Sequence, residues 1–113
     1  MQRTVRITVA KRGLDRELSD ALVPAGTTID RCPVFRDGQE FLVEGWPEMP
    51  DGFCENAWGA VRTGAMLAAF DADLSALTVP GKWIACCPDG LRPVVFVVEL
   101  VDAPDPQDAK EDA

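Results

Sequence analysis

Residues 82–101 read KWIACCPDGLRPVVFVVELV, and the fold turns on how this stretch is divided. Pro88-Asp89-Gly90 is a turn signal between two strand-like runs, Lys82–Cys87 and Val94–Val101. Gly90 is expected to supply a positive φ at the turn, and Pro93 to open the second run where its missing N–H does least harm. That second run is apolar on nearly every position, unlike the alternation of a half-exposed strand. It predicts a strand central to its sheet or covered on both sides.

Upstream, Pro50-Asp51-Gly52 precedes the clearest helical pattern in the chain, predicted over Phe53–Phe70. Asp51 is the expected N-cap, with Glu55 favourably placed in the first turn. Cys54, Ala57, Trp58, Val61, Ala65 and Ala68 recur at helical spacing and form the expected buried stripe. Gly59 and Gly64 each weaken a helix by about 1 kcal/mol relative to alanine, which predicts close packing against both. Asp71, Asp73 and Pro80-Gly81 mark the exit.

Two further strands lie nearer the N-terminus. Thr4–Ala10 alternates, with Val5, Ile7 and Val9 on one face and Thr4, Arg6 and Thr8 on the other. Gln39–Glu44 follows the turn Arg36-Asp37-Gly38 and places Phe41 and Val43 on one face. Between these strands, Gly13–Ile29 reads as a loop containing a short helix, with Leu14, Leu18 and Leu22 in register and Pro24 and Gly26 ending it. The segment 45–50, GWPEMP, is a rigid connector whose prolines forbid regular pairing. The order is β-β-α-β-β: an α+β domain with one main helix on a small, mostly antiparallel sheet of about four strands.

The chain of 113 residues, 47% hydrophobic and 27% charged, fits a single domain over residues 1–102. Residues 103–113, APDPQDAKEDA, read as a disordered acidic tail. A net charge of −8 argues against nucleic acid or an anionic membrane as partner, since phosphate binding needs a basic face. Arg3, Arg6, Lys11, Arg12 and Arg16 form the one basic group and read as a solvated strand edge. The N-terminus has no apolar signal core, and no run approaches the ~20 residues of a membrane span. The expected compartment is the cytoplasm, where thiols stay reduced.

Histidine and tyrosine are absent. Ser-His-Asp and Cys-His catalysis and any histidine-containing metal site are therefore excluded. Acid–base chemistry would fall to carboxylates, lysines or thiols.

The four cysteines, Cys32, Cys54, Cys86 and Cys87, are the most informative residues. No pair has the C-x-x-C spacing of a zinc knuckle or thioredoxin site. Cys32 precedes a proline in a loop, and Cys54 falls in the first helical turn, where the dipole favours a thiolate. Cys86 and Cys87 end a strand and must point to opposite faces, so at most three thiols converge. Three thiolates with an open fourth position suit a soft metal such as zinc or iron, with Glu48 or Asp89 to fill that position. Against this stands the tendency of reduced cysteine to be packed as a small hydrophobe.

Arg92 invites three readings: an exposed turn residue, a guanidinium paired with Asp89 or Glu48, or a fork gripping a ligand carboxylate. The ion pair is the favoured one. Trp58 reads as core, whereas Trp46, among prolines in a loop, is the tryptophan best placed to line a pocket.

Four blocks stand in order: Cys32-Pro33-x-Phe35, Gly38-Gln39-x-Phe41, Met49-Pro50-x-Gly52-Phe53-Cys54-x-x-Ala57-Trp58, and Cys86-Cys87-x-Asp89-Gly90-Leu91-Arg92-Pro93-Val94-x-Phe96. Together they resemble a family of small uncharacterised bacterial and archaeal proteins. The likeness covers about Thr4–Val101, and its last block is the most specific. It implies that the cysteine-bearing blocks and the Asp-Gly-Leu-Arg-Pro turn belong to one pattern. The chain departs from that pattern at Glu55 and Asn56, where an aromatic is expected, and at Pro88, where a small polar residue is expected.

Three functions follow as expectations. The first is a protein with a cysteine-centred site for a soft metal or small molecule, drawing metal ligands from Cys32, Cys54, Cys86 and Cys87. The second is a small accessory enzyme of isomerase, cyclase or lyase type in a biosynthetic pathway. It would use Cys54, Glu48 and Asp89 as catalytic groups, with Arg92 and Trp46 binding a substrate acid. The third is a structural protein or homo-oligomer with inert thiols.

Overall fold

A computed structural model describes residues 4–70, 72 and 78–101. The expected tail, residues 103–113, and the expected helix-exit residues Asp71 and Asp73 lie outside them. Four strands, β1 (Thr4–Arg12), β2 (Glu40–Glu44), β3 (Lys82–Cys86) and β4 (Val94–Leu100), and two helices, α1 (Arg16–Leu22) and α2 (Glu55–Ala69), make an α+β fold. Every strand pairing is antiparallel, and the order across the sheet is β2-β1-β4-β3. The apolar run ending the described chain is indeed a central strand.

The pleat decides what each strand buries. Val5, Ile7 and Val9 of β1, Phe41 and Val43 of β2, Ala85 of β3 and Val94, Phe96 and Val98 of β4 share one buried sheet face, which α2 covers over β1, β3 and β4. The helix answers with small residues, Ala57, Val61, Gly64, Ala65, Ala68 and Ala69. Small side chains let its backbone come close, and the aromatic volume is supplied from the sheet and loops. Gly64 meets the Trp83 ring directly, as expected of a helical glycine kept for packing; Gly59, in contrast, is exposed with nothing within 4 Å. The opposite sheet face carries an ion-pair chain. Arg6 bonds Glu99 at 3.0 Å and Glu40 at 3.3 Å, and Lys82 reaches Glu99 at 3.2 Å.

Three local expectations are corrected. The helix begins after Cys54, which is itself the N-cap, so Asp51 does not cap it. The reason is the turn before it: Phe53 N–H bonds the Pro50 carbonyl at 3.2 Å with Gly52 at φ 81°. Second, the short helix begins at Arg16, so Leu14 lies outside it and only Leu18 and Leu22 share it. Leu18 and Leu22 are exposed and Ser19 is the buried residue, because the short helix is held by its ends rather than by a core face. Asp15 caps it by accepting the Leu18 N–H at 2.9 Å. Third, β1 runs two residues beyond Ala10, through a bulge between Val9 and Lys11. The bulge reverses the alternation, so Arg12 lies opposite buried Val94 instead of on the outer face.

Candidate functional site

That reversal builds one wall of a cavity. From the end of β1, the Arg12 guanidinium donates to the Cys32 carbonyl at 2.9 Å and to the Asp37 carboxylate at 3.2 Å. This clamps the loop 32–37 over the end of the sheet where β1 and β3 finish and β4 begins. Inside the loop, Phe35 is fully buried. Its ring meets those of Phe41, Phe53 and Phe96 edge-on, with centroids 5.0 to 5.9 Å apart. The loop is thereby anchored by an aromatic plug, and its residues 32–35 line the cavity.

The second wall is the start of α2. Cys54 occupies the N-cap with β-region backbone, φ −84° and ψ 131°, but its side chain makes no capping hydrogen bond. Cysteine is a poor cap because its sulfur is a weak acceptor. The thiol is left unused by the helix it begins.

The third wall is the β3–β4 turn, whose shape is set by two side chains. Asp89 accepts the backbone N–H groups of Leu91 at 2.9 Å and Arg92 at 3.0 Å on one oxygen, and the Arg92 Nε at 3.2 Å on the other. These bonds, the Arg92 N–H first, hold the carboxyl below its ordinary range against the opposing effect of burial. Gly90 therefore does not adopt the expected positive φ; the carboxylate closes the turn instead. Cys87 does the rest. Its N–H bonds the Val94 carbonyl at 3.0 Å, while its sulfur accepts the Val94 N–H at 3.2 Å and faces the Arg92 carbonyl at 3.8 Å. The Leu91 and Pro93 carbonyls accept from Asp15 and Gly13, tying the turn to the segment before α1.

Between these walls lies a cavity of about 430 Å³. Cys32, Cys54 and Cys87 all line it, with Asp89 and Arg92 at one side. Pro33, Val34, Phe35, Ala57 and Val94 make the rest largely apolar. Asn56 adds one amide. Arg92 is engaged through Nε only; among the described residues neither of its Nη atoms has a partner.

The structure thus assembles five of the residues singled out from sequence: Cys32, Cys54, Cys87, Asp89 and Arg92. Three others lie elsewhere. Cys86 is exposed on the outer sheet face, where alternation puts it; burial and the neighbouring Cys87 push its thiol up. Glu48 and Trp46 line a separate groove, because β2 ends at the opposite end of the sheet, with Glu44 against Thr4. Glu48 is therefore neither the partner of Arg92 nor a base for this cavity. Asp89 has both oxygens occupied and is ionised more readily than usual, which suits an anchor rather than a proton shuttle. The wall residues Pro33, Val34, Phe35 and Asn56 were not read from sequence as site residues; the Cys32-Pro33-x-Phe35 block pointed near the first three, and the Met49–Trp58 block, with its departure at Asn56, near the last.

All four cysteines are free thiols. Among the described residues, no group of three or more Cys, Asp or Glu side chains is placed to hold a metal ion. No described helix is long and apolar enough to cross a membrane. Comparison of the chain with protein-family models, with curated proteins and with solved structures returns no match.

Proposed function

We propose that the protein binds a small, mainly apolar organic acid in the thiol-lined cavity, with the Arg92 guanidinium receiving its carboxylate. The observation that carries this reading is the half-used fork. Asp89 fixes Arg92 through Nε at the wall of an apolar cavity and leaves both Nη groups for a ligand. A planar pair of donors matches a carboxylate, and an apolar chamber with few polar groups is the usual form of a small-molecule site. Cys54 sits across the same cavity with its side chain free.

The soft-metal reading has one observation in its favour, the convergence of Cys32, Cys54 and Cys87 on one cavity. It lacks an assembled trio of ligands. The enzyme reading keeps Cys54 as a nucleophile and Arg92 as a substrate grip, but loses Glu48 and, as a proton carrier, Asp89.

The test is thermal denaturation with benzoate, phenylacetate and cinnamate beside their uncharged amides. A ligand that binds only the native state raises the melting temperature, its stabilisation growing as the logarithm of one plus the ratio of free ligand to Kd. Carboxylates should stabilise the protein, the amides should not, and the bound acid should slow alkylation of Cys54. Equal effects of acids and amides, or none from either, would overturn the reading. Stoichiometric zinc or iron that protects the three thiols until a chelator is added would replace it with the metal site.

A further inference from the structure

The far end of α2 carries a second surface, independent of the cavity. Trp46 is 59% exposed and Phe70 67% exposed, yet their rings touch edge to face, with centroids 6.2 Å apart at 73°. Leu42, 60% exposed, and Met49 continue the apolar surface along a groove of about 330 Å³ beside β2. Large exposed aromatics that contact one another, rather than lie scattered, are characteristic of interaction surfaces.

Two features define what would cover this patch. Glu44, Glu48 and Asp51 line the same groove, and among the described residues none of them is in an ion pair. Elsewhere among the described residues Asp37, Glu40, Asp89 and Glu99 are matched by arginine or lysine, while Glu17, Asp20 and Glu55 are not; the groove is set apart by bringing three unmatched carboxylates beside an exposed aromatic pair. The groove therefore combines unmatched negative charge with an aromatic face, to which a cationic side chain is attracted both ways. Second, among the described residues β2 is an edge strand, paired with β1 alone, so its outer backbone groups have no strand partner there. A second copy of the chain, at net charge −8, would bring like charge to the same place.

We infer that the β2 edge and the Trp46–Phe70 groove form a docking surface for a basic, extended peptide segment of a partner protein. The segment adds to the free edge of β2. Its lysine or arginine side chains meet Glu44, Glu48 and Asp51, and an apolar or cationic side chain covers the Trp46 ring.

The probe is a short capped peptide alternating lysine and valine, titrated into isotopically labelled full-length protein while amide shifts are followed. A peptide with glutamate in place of lysine serves as control. The inference expects shift changes confined to Glu40–Asp51 and Phe70 and affinity that falls steeply with added salt. Trp46→Ala should weaken binding about ten-fold or more, as for an interface anchor. The combined change Glu44→Gln, Glu48→Gln and Asp51→Asn should do the same without altering the aromatic pair. Both variants change exposed side chains, so their unshifted core amides report an intact fold. Absence of shifts at millimolar peptide, shifts spread over the molecule, or equal binding of the glutamate peptide would overturn the inference. So would concentration-dependent self-association that Trp46→Ala abolishes, since the occupant would then be a second copy.

Discussion

Asp89 shows how much one side chain can hold. It closes its turn by accepting two backbone N–H groups and fixes Arg92 at the cavity wall. Replacing it with alanine should cost about 1–2 kcal/mol at neutral pH, as for loss of a helix cap with the same bonds, measured by urea denaturation. Because folding lowers the carboxyl's pKa, its contribution is present above the unfolded carboxylate range and is lost as pH falls through the folded value. The gap between wild type and Asp89→Ala should therefore close in acid. A gap that stays constant from neutral to strongly acidic pH would show that the charge is not what matters. Arg92→Lys keeps the positive charge but not the fork, and should weaken acid binding more than it weakens the fold. At Cys87 the sulfur, not a carbonyl, receives the Val94 N–H. Cys87→Ala should cost about 1–2 kcal/mol by orphaning that donor, whereas exposed Cys86→Ala should fall within about 0.5 kcal/mol of wild type. The sequence showed that only one of these neighbours could face the cavity, because alternation forces it; which one depends on the phase of β3, legible only once Ala85 is seen to be buried.

At the scale of elements, β1, β2 and the main helix were readable from the spacing of their apolar residues, and β3 and β4 from the turn signals that bound them. The errors fall where local pattern and packing disagree. Leu18 and Leu22 keep helical spacing in α1, but nothing covers them. The two glycines of α2 look alike in sequence and differ in what lies above them, so they make a paired test. Gly59→Ala fills open space and should stabilise by about 0.5–1 kcal/mol through helix propensity alone. Gly64→Ala gains the same propensity but drives a methyl into the Trp83 ring, and should be net destabilising by about 1–3 kcal/mol. Thermal denaturation of both variants should give shifts of opposite sign; two shifts of the same sign would mean that Trp83 moves aside freely. The connector 45–50 marks another limit of sequence. Its composition predicts a rigid loop, but not the direction in which Trp46 and Glu48 leave the sheet, and that direction separates them from the cavity.

The whole molecule is organised around a residue that no periodic pattern reveals. Phe35 comes from a loop, is 1% exposed, and is ringed by Phe41, Phe53 and Phe96 while also lining the cavity. Phe35→Ala should cost about 3–5 kcal/mol, a large part of the ~5–15 kcal/mol that holds an ordinary domain together. Circular dichroism should show loss of fold or a steep drop in melting temperature; a mild effect would mean that the loop 32–37 is held by Arg12 alone. Strand order has a consequence of another kind. The two central strands, β1 and β4, are the first and last of the described chain, with Val5 opposite Leu100. During synthesis, β1 can pair early with β2, but its other edge must wait until β4 has been translated. The nascent chain therefore emerges with the apolar face of β1 half-enclosed, and its loop-closing entropy is paid all at once when β4 arrives. A chain of this topology is expected to fold late and as a unit, with its net charge of −8 opposing association with its neighbours until it does.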